Sequence, residues 1–111
     1  MKFVIEPDVS EKLPTYCVGV LTAKGIDNTG AHPEIETLLD EGVKLAEARF
    51  LDRRIKEEPD ILPYREAFQA LGMNPNKYMC SIEALFTRIA KAKGMPRINP
   101  LVDLNNAVSL K

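Results

Sequence analysis

The stretch PEIETLLDEGVKLAEARF, residues 33–50, decides the fold because it is the clearest long amphipathic segment of the chain. Its charged residues fall opposite its apolar ones, and Pro33 suits a first helical turn. The apolar residues recur three and four positions apart, as on one face of a helix, and are Ile35, Leu38, Leu39, Val43, Ala46 and Phe50. The pattern predicts a long helix that packs against a core and ends by Pro59 at the latest.

Two apolar segments precede this helix. Residues 2–6, KFVIE, and residues 15–23, TYCVGVLTA, are rich in residue types that favour strands. Residues 24–32 are predicted to be a connecting loop. A strand pair followed by several helices predicts an α+β fold. Because a lone pair of strands is marginal in water, we expect segments missing from this chain to complete the sheet, and residues 1–111 to form a single incomplete domain.

Three shorter helices are predicted downstream, over residues 61–71, over residues 81–93, and from Asn99 onward. Gly72 is expected just after the first of them, and Ser81 as the N-cap of the second. Asn99 as N-cap with Pro100 in the first helical position is a strong start signal. The residues expected to face inward are Tyr64, Phe68, Leu71, Ile82, Leu85, Phe86, Ile89, Leu101, Leu104 and Val108.

Composition excludes several classes of protein. No apolar run approaches the roughly 20 residues that span a bilayer, and the N-terminus lacks the apolar core of a signal peptide. Cys17 and Cys80 lie far apart, which favours a cytoplasmic protein with reduced thiols. His32 is the only histidine, so three or four convergent metal ligands are not expected. We expect no metal, no cofactor and no membrane partner, and find neither a phosphate loop nor a serine nucleophile motif.

Charge is distributed unevenly along the chain. Residues 1–60 contain 8 basic and 13 acidic side chains, a net charge of −5, whereas residues 61–111 contain 7 basic and 3 acidic ones, a net charge of +4. Between Ala84 and Val102 there is no acidic residue. The basic residues of that interval are Arg88, Lys91, Lys93 and Arg97. Such asymmetry is typical of a nucleic-acid face, although a solvated helix surface would produce the same pattern.

The second half of the chain also resembles a known family. YREAFQALGMNPNKY, residues 64–78, and SIEALFTRIAKAKGMPRINPLVDLNNAVSL, residues 81–110, resemble the editing domain (the B-three/B-four domain) of the phenylalanyl-tRNA synthetase beta chain, and especially its free-standing relatives. Residues 1–60 resemble it only loosely. Since the family's domain is about twice as long, the resemblance implies that this chain is the N-terminal half of such a domain.

Two consecutive asparagines, Asn105 and Asn106, stand within the last predicted helix, where asparagine is unfavourable by roughly half a kcal/mol relative to alanine. The resemblance implies that both line the pocket that receives a misattached amino acid, although the synthetase commonly has threonine at the position of Asn105. The implied chemistry is hydrolysis of an aminoacyl ester by a positioned water, with no protein nucleophile. The alternative is that both carboxamides simply face water.

Three functions are therefore compatible with the sequence. The first is a free-standing editing-type domain that hydrolyses the ester of a mischarged tRNA, with Arg88, Lys91, Lys93 and Arg97 contacting phosphates. The second is a non-catalytic RNA-binding module that uses the same basic segment. The third is a scaffold whose charges are solvated. Glu83 and Arg88 are expected to form structural ion pairs with other parts of the fold, and Arg65 is expected to face either RNA or a helix end.

Overall fold

A computed structural model describes residues 1–111 and contains helices without any sheet. The helices are α1 (Pro7–Lys12), α2 (Pro33–Phe50), α3 (Leu62–Ala70), α4 (Ser81–Ala90) and α5 (Pro100–Ser109), with a 3₁₀ turn at Ile55–Glu57. None of them combines the length and the apolar character needed to cross a bilayer. We call residues 1–32 the N-terminal arm and residues 33–111 the helical body.

The predicted α+β fold is wrong, and so is the predicted strand pair. Residues 2–6 and 15–23 have no strand assignment, and their apolar side chains face solvent, with Phe3 61% and Leu21 94% exposed. Strand propensity reflects side-chain packing on a sheet more than an intrinsic backbone preference. Neither segment has a partner strand here, and Pro7 begins α1 directly after the first one. Both segments therefore remain irregular.

The predicted long helix is confirmed as α2, which lies at the centre of the helical body. Leu39, Ala46 and Phe50 are buried, while Leu38 and Val43 pack against the core from its edge. The ring of Phe50 lies 4.3 Å from the ring of Phe86 on α4, centroid to centroid. This aromatic pair joins α2 to α4 and forms the bulkiest part of the core.

Helix α5 crosses α2 at Gly42. A Cβ atom at this position would lie 3.1 Å from Cβ of Leu110 and 3.4 Å from the carbonyl oxygen of Ala107. Only glycine therefore permits the two helices to approach so closely without a shift of α5. The amphipathic pattern of α2 did not include Gly42, although it is buried, because a glycine contributes no apolar side chain to such a pattern.

The exposed and buried faces of α5 differ from those predicted. Leu101 and Val108, expected to face inward, are 47% and 64% exposed. The buried residues are instead Asp103, Ala107 and Leu110, which follow each other at helical spacing. The close contact at Gly42 involves Ala107 and Leu110, so α5 turns these two residues toward α2 and leaves Leu101 and Val108 toward solvent.

The two helix starts predicted from the sequence have different outcomes. Asn99 is confirmed as an N-cap, since its Oδ1 accepts a hydrogen bond from the Val102 N–H at 3.0 Å. Ser81 is not an N-cap: it is the first residue of α4, and Cys80 precedes it without a capping side chain. Asn28 of the N-terminal arm adds a second cap to α5, because its Oδ1 accepts from the Leu101 N–H at 2.8 Å.

Helices α3 and α4 end in the same hydrogen-bond pattern with different residues. After α3, the predicted Gly72 takes φ +77°, and the N–H groups of Gly72 and Met73 bond back to the last turn. After α4, Ala92 takes φ +54° in the same role, with Lys93 following. This pattern is the Schellman motif, which normally has glycine at the left-handed position. Helix α4 therefore ends at Ala90, three residues earlier than predicted.

Candidate functional site

A cleft of about 820 Å³ opens between the 3₁₀ turn, helix α4 and the turn at Pro75–Asn76. It is distinguished by its charge, since five basic and two acidic side chains line it. The acidic residues are Asp52 and Glu83. The basic residues are Arg53, Arg54, Lys56, Arg65 and Lys91. We call this feature the basic cleft.

The chain folds into this cleft because Ile55 anchors a strongly charged segment. Within DRRIKEE, residues 52–58, Ile55 is the only apolar residue, and it is buried with 4% exposure as a member of the core. The 3₁₀ turn keeps Ile55 inward while the flanking charged residues face the cleft. Burial of this one side chain therefore fixes where several cationic groups lie.

A buried ion pair forms the inner wall of the basic cleft. Nη1 of Arg65, on α3, donates to Oε1 of Glu83, on α4, at 2.7 Å, and the two side chains are 14% and 6% exposed. The same Nη1 donates to the carbonyl of Pro75 at 3.1 Å, and Nη2 donates to Oδ1 of Asn76 at 2.5 Å. The expectation that Glu83 forms a structural ion pair is confirmed, and Arg65 is its partner.

Glu83 is nevertheless only half satisfied. Its Oε2 is buried and has no hydrogen-bond partner, although a carboxylate oxygen has two acceptor sites. Leaving a buried acceptor unpaired costs about 1–3 kcal/mol, and more when the group is charged. Its position in the first turn of α4 favours the negative charge. The orphan oxygen is an unpaired acceptor on a residue that lines the basic cleft.

The surface cations of the basic cleft fall into two kinds. Arg53 is paired with Glu58 at 3.3 Å and Arg54 with Glu57 at 3.6 Å, so their charges are partly compensated. Lys56 and Lys91 form no ion pair with any carboxylate, and both are exposed. The uncompensated positive charge of the cleft therefore belongs mainly to these two lysines.

The four basic residues singled out from the sequence do not share one site. Lys91 lines the basic cleft, and Lys93 is exposed beyond the end of α4. The expected ion pair of Arg88 is wrong, because Arg88 contacts no carboxylate. Its guanidinium donates instead to the carbonyls of Gly94 and Lys93, at 3.3 and 3.4 Å, just beyond the end of α4. Arg97 pairs with Asp40 of α2 at 2.5 Å. Their role in RNA binding stays a prediction.

The asparagine pair lies on α5, outside the four principal cavities of the protein. Asn105 is exposed and Asn106 is half-buried. The Ser109 hydroxyl donates to the backbone carbonyl of Asn105 at 2.9 Å. Neither carboxamide side chain makes a hydrogen bond within the protein, so both are free to bind another group. Their role in a substrate pocket stays a prediction.

A second cavity, of about 610 Å³, lies between α2, α4 and the end of α5 and is mostly apolar. Phe50, Ile82 and Phe86 line it, together with Ser109. At its edge Nη2 of Arg49 lies 2.6 Å from Oδ2 of Asp60. Ile82, Phe86 and Ser109 all belong to the block that resembles the editing domain, so that block contributes several residues to this apolar concavity.

The remaining chemistry-bearing residues are dispersed. Cys17 and Cys80 are free thiols, exposed and half-buried respectively. Nε2 of His32 lies 2.9 Å from the carbonyl oxygen of Thr29. No group of three or more histidine, cysteine, aspartate or glutamate side chains is placed to hold a metal ion. Comparison with protein-family models, with curated proteins and with solved structures gave no match.

Sequence reasoning missed the part of the basic cleft that lies outside the acid-free interval. The net charge of residues 1–60 is negative, although this half contains Arg53, Arg54 and Lys56. Because the charge was summed over the whole half, these three cations did not stand out. The available signal was Ile55, a single apolar residue inside a run of charges. Such a residue indicates that the run folds back on the core instead of extending into solvent.

Proposed function

We propose that this chain is part of an aminoacyl-tRNA editing-type domain, which binds tRNA and hydrolyses the ester of a mischarged one. Two independent features support the proposal. Residues 64–110 resemble the editing domain of the phenylalanyl-tRNA synthetase beta chain over many positions. The basic cleft, which concentrates five cationic side chains around one concavity, is suited to a phosphate backbone. The single observation that carries the proposal beyond the resemblance is this concentration of charge.

The proposed reaction is attack of a water on the ester carbonyl of the aminoacyl-tRNA. The ester C–O bond breaks, the amino acid leaves as its carboxylic acid, and the ribose oxygen takes a proton to regenerate the tRNA hydroxyl. We assign Asn105 and Asn106 to the substrate pocket, where free carboxamides can donate to the carbonyl oxygen and accept from water. We place the activity in the cytoplasm, because the substrate is made there.

A non-catalytic RNA-binding module is the second candidate. It is favoured by the position of Asn105 and Asn106 outside the four principal cavities. In that case the basic cleft would bind RNA without any hydrolysis. The two candidates share the partner and differ in whether the ester is broken.

Deacylation of a mischarged tRNA by the full chain tests the first candidate. We expect release of the amino acid above the uncatalysed rate, and a loss of about tenfold or more in the Asn106→Ala variant, since an aligned polar group commonly contributes 10²-fold or more to such a step. Gln69→Ala is the matched control, because it removes an exposed carboxamide from α3. Equal rates for the wild type and Asn106→Ala would remove Asn106 from the pocket.

Binding of tRNA across a series of salt concentrations separates the second candidate from a scaffold. A protein that uses three or four phosphate contacts should lose affinity with a log–log slope of roughly −2 to −4. Binding with such a slope but without deacylation of any mischarged pair would establish the non-catalytic module. If the affinity for tRNA does not change with salt concentration, the protein makes no phosphate contacts, and only the scaffold function remains.

A further inference from the structure

The basic cleft contains two kinds of unpaired group, lysines without an ion-pair partner and a carboxylate oxygen without a hydrogen-bond donor. The net charge of the chain does not predict this combination. Its uncompensated cations are Lys56 and Lys91, which come from two different elements, one from the 3₁₀ turn and one from the end of α4. Its lining includes Glu83, a residue only 4% exposed whose Oε2 is buried and has no hydrogen-bond partner. A ligand that fits this cleft has an anionic group for the lysines and, next to it, a hydrogen-bond donor for Oε2 of Glu83.

An anion alone would not suit this cleft. A phosphate offers only acceptors, and close to Oε2 it would meet another negative charge without a hydrogen to share. A simple cation would be held at the carboxylate but repelled by the two uncompensated lysines of the cleft, Lys56 and Lys91. A neutral hydroxyl avoids both problems, because it donates to Oε2 and adds no charge.

We propose that the basic cleft binds the ribose–phosphate backbone of single-stranded RNA. Lys56 and Lys91 bind a phosphate, and the 2′-hydroxyl of the adjoining ribose donates to Oε2 of Glu83. This inference rests on the proposed function and assigns the tRNA contact to a specific strand chemistry. The 2′-hydroxyl is the group by which a protein distinguishes RNA from DNA, so the cleft becomes the element that selects RNA.

The carboxylate is prepared for this role by Arg65. Since Arg65 holds Oε1 and is itself bound to Pro75 and Asn76, Glu83 cannot rotate to pair Oε2 elsewhere without breaking its ion pair. The acceptor is therefore fixed before the ligand arrives. Because Oε2 is buried, a ligand reaches it only after a side-chain shift, and the unbranched, flexible Met79, 47% exposed, lines the same cleft.

The test measures binding of fluorescently labelled single-stranded RNA and DNA of the same sequence by anisotropy, with intact tRNA as a further ligand. We expect the wild type to bind RNA roughly tenfold more tightly than DNA, the effect of one hydrogen bond to a charged group. In Glu83→Gln an amide N–H₂ replaces one carboxylate oxygen, and the preference for RNA should fall toward one.

The lysine contacts are tested separately. Lys56→Ala and Lys91→Ala should each weaken RNA and DNA binding alike and reduce the salt slope by about 1. Lys44→Ala is the matched control, since Lys44 is an exposed lysine on the outer face of α2 and lies outside the cleft. We expect no change in that variant. Circular dichroism reports whether each variant keeps its helices. If Glu83→Gln does not fold, the two lysine variants still test whether the basic cleft is the RNA site.

Each outcome has a definite meaning. If the wild type binds tRNA but the lysine variants match the control, the cleft is not the RNA site, and the inference is wrong while the proposed function survives. Equal affinity for RNA and DNA, or an unchanged preference in a folded Glu83→Gln variant, removes Glu83 from recognition. If the wild type binds no nucleic acid, the inference and the proposed function both fall.

Discussion

The N-terminal arm and the helical body have nearly the same share of hydrophobic residues, 14 of 32 in the arm and 36 of 79 in the body, yet they differ completely in burial. All ten residues of the hydrophobic core belong to the body, and no residue of the arm is buried. The difference is one of periodicity. In the body the apolar residues recur at helical spacing and converge on one stripe, whereas in the arm they stand in two short consecutive runs that have no partner strand. Hydrophobic content alone therefore does not determine a core.

The largest expected difference in unfolding free energy comes from replacing one phenylalanine in each region by alanine. Phe50→Ala should destabilise the protein by about 3–5 kcal/mol, because it deletes a fully buried ring, whereas Phe3→Ala should change the unfolding free energy by no more than about 0.5 kcal/mol. Chemical denaturation followed by circular dichroism measures both. A comparable loss in the two variants would mean that the arm is packed more tightly than its exposure indicates.

A glycine pair gives a test of intermediate size. Gly42→Leu should cost about 1–3 kcal/mol or more, because the new side chain enters the contact between α2 and Leu110. Gly19→Leu in the arm should be close to neutral, since nothing lies within 4 Å of a Cβ at that position. The same denaturation experiment applies. A neutral Gly42→Leu would show that α5 can shift away from α2 without loss of stability.

The two caps of α5 make a smaller test, because one comes from each region. Asn99→Ala should cost about 1 kcal/mol, the usual value for a lost N-cap. Asn28→Ala should cost a few tenths of a kcal/mol, since the freed Leu101 N–H lies at an exposed site where water can replace the asparagine. Hydrogen exchange identifies the bonds: the Val102 amide should exchange faster in the first variant and the Leu101 amide in the second. Unchanged exchange at Leu101 would mean that the arm does not dock there.

The smallest expected effect is a titration in the arm. The Thr29 hydroxyl and the Thr29 backbone N–H both donate to Asp27 and lower the pKa of its carboxyl group. Since the folded pKa lies below the unfolded one, the stabilising contribution is present above the unfolded pKa and is lost as the pH falls through the folded pKa. In Thr29→Val the hydroxyl is removed, so the pKa of Asp27 should rise toward its ordinary value. NMR titration measures it, and an unchanged pKa would show that the backbone N–H alone accounts for the shift.

The sequence predicts the helical body well and the arm badly for the same physical reason. Helix α2 was predictable because Pro33 and a regular apolar stripe are local signals. The strands were not, because a strand exists only with a partner, and the partner is a property of the whole fold. The inner face of α5 was missed because the contact with Gly42 turns Ala107 and Leu110 toward α2, in place of the predicted Leu101 and Val108. That choice depends on a neighbouring helix and not on α5 itself.

The candidate site was predictable only in part. Lys91 and Glu83 stood out from the sequence, the first from the acid-free interval and the second as a charge expected to be paired. Arg65, which pairs with Glu83, lies 18 residues from it in sequence, and Lys56 of the same cleft lies 27 residues from it. Only the three-dimensional packing brings these residues together. Asn105 and Asn106 stood out through a local conflict with helix propensity, and only the resemblance to the editing domain assigned them to a pocket, which remains a prediction.

The left-handed alanine after α4 has a practical consequence for work with this protein. Alanine at φ +54° is strained by roughly 1–2 kcal/mol, a penalty that glycine does not incur. This strain can be removed by mutation. Ala92→Gly should raise the melting temperature, because glycine adopts the left-handed conformation without strain, as Gly72 does after α3. A sturdier parent of this kind would tolerate destabilising variants at Glu83 and Phe50, which makes the demanding substitutions easier to purify and compare.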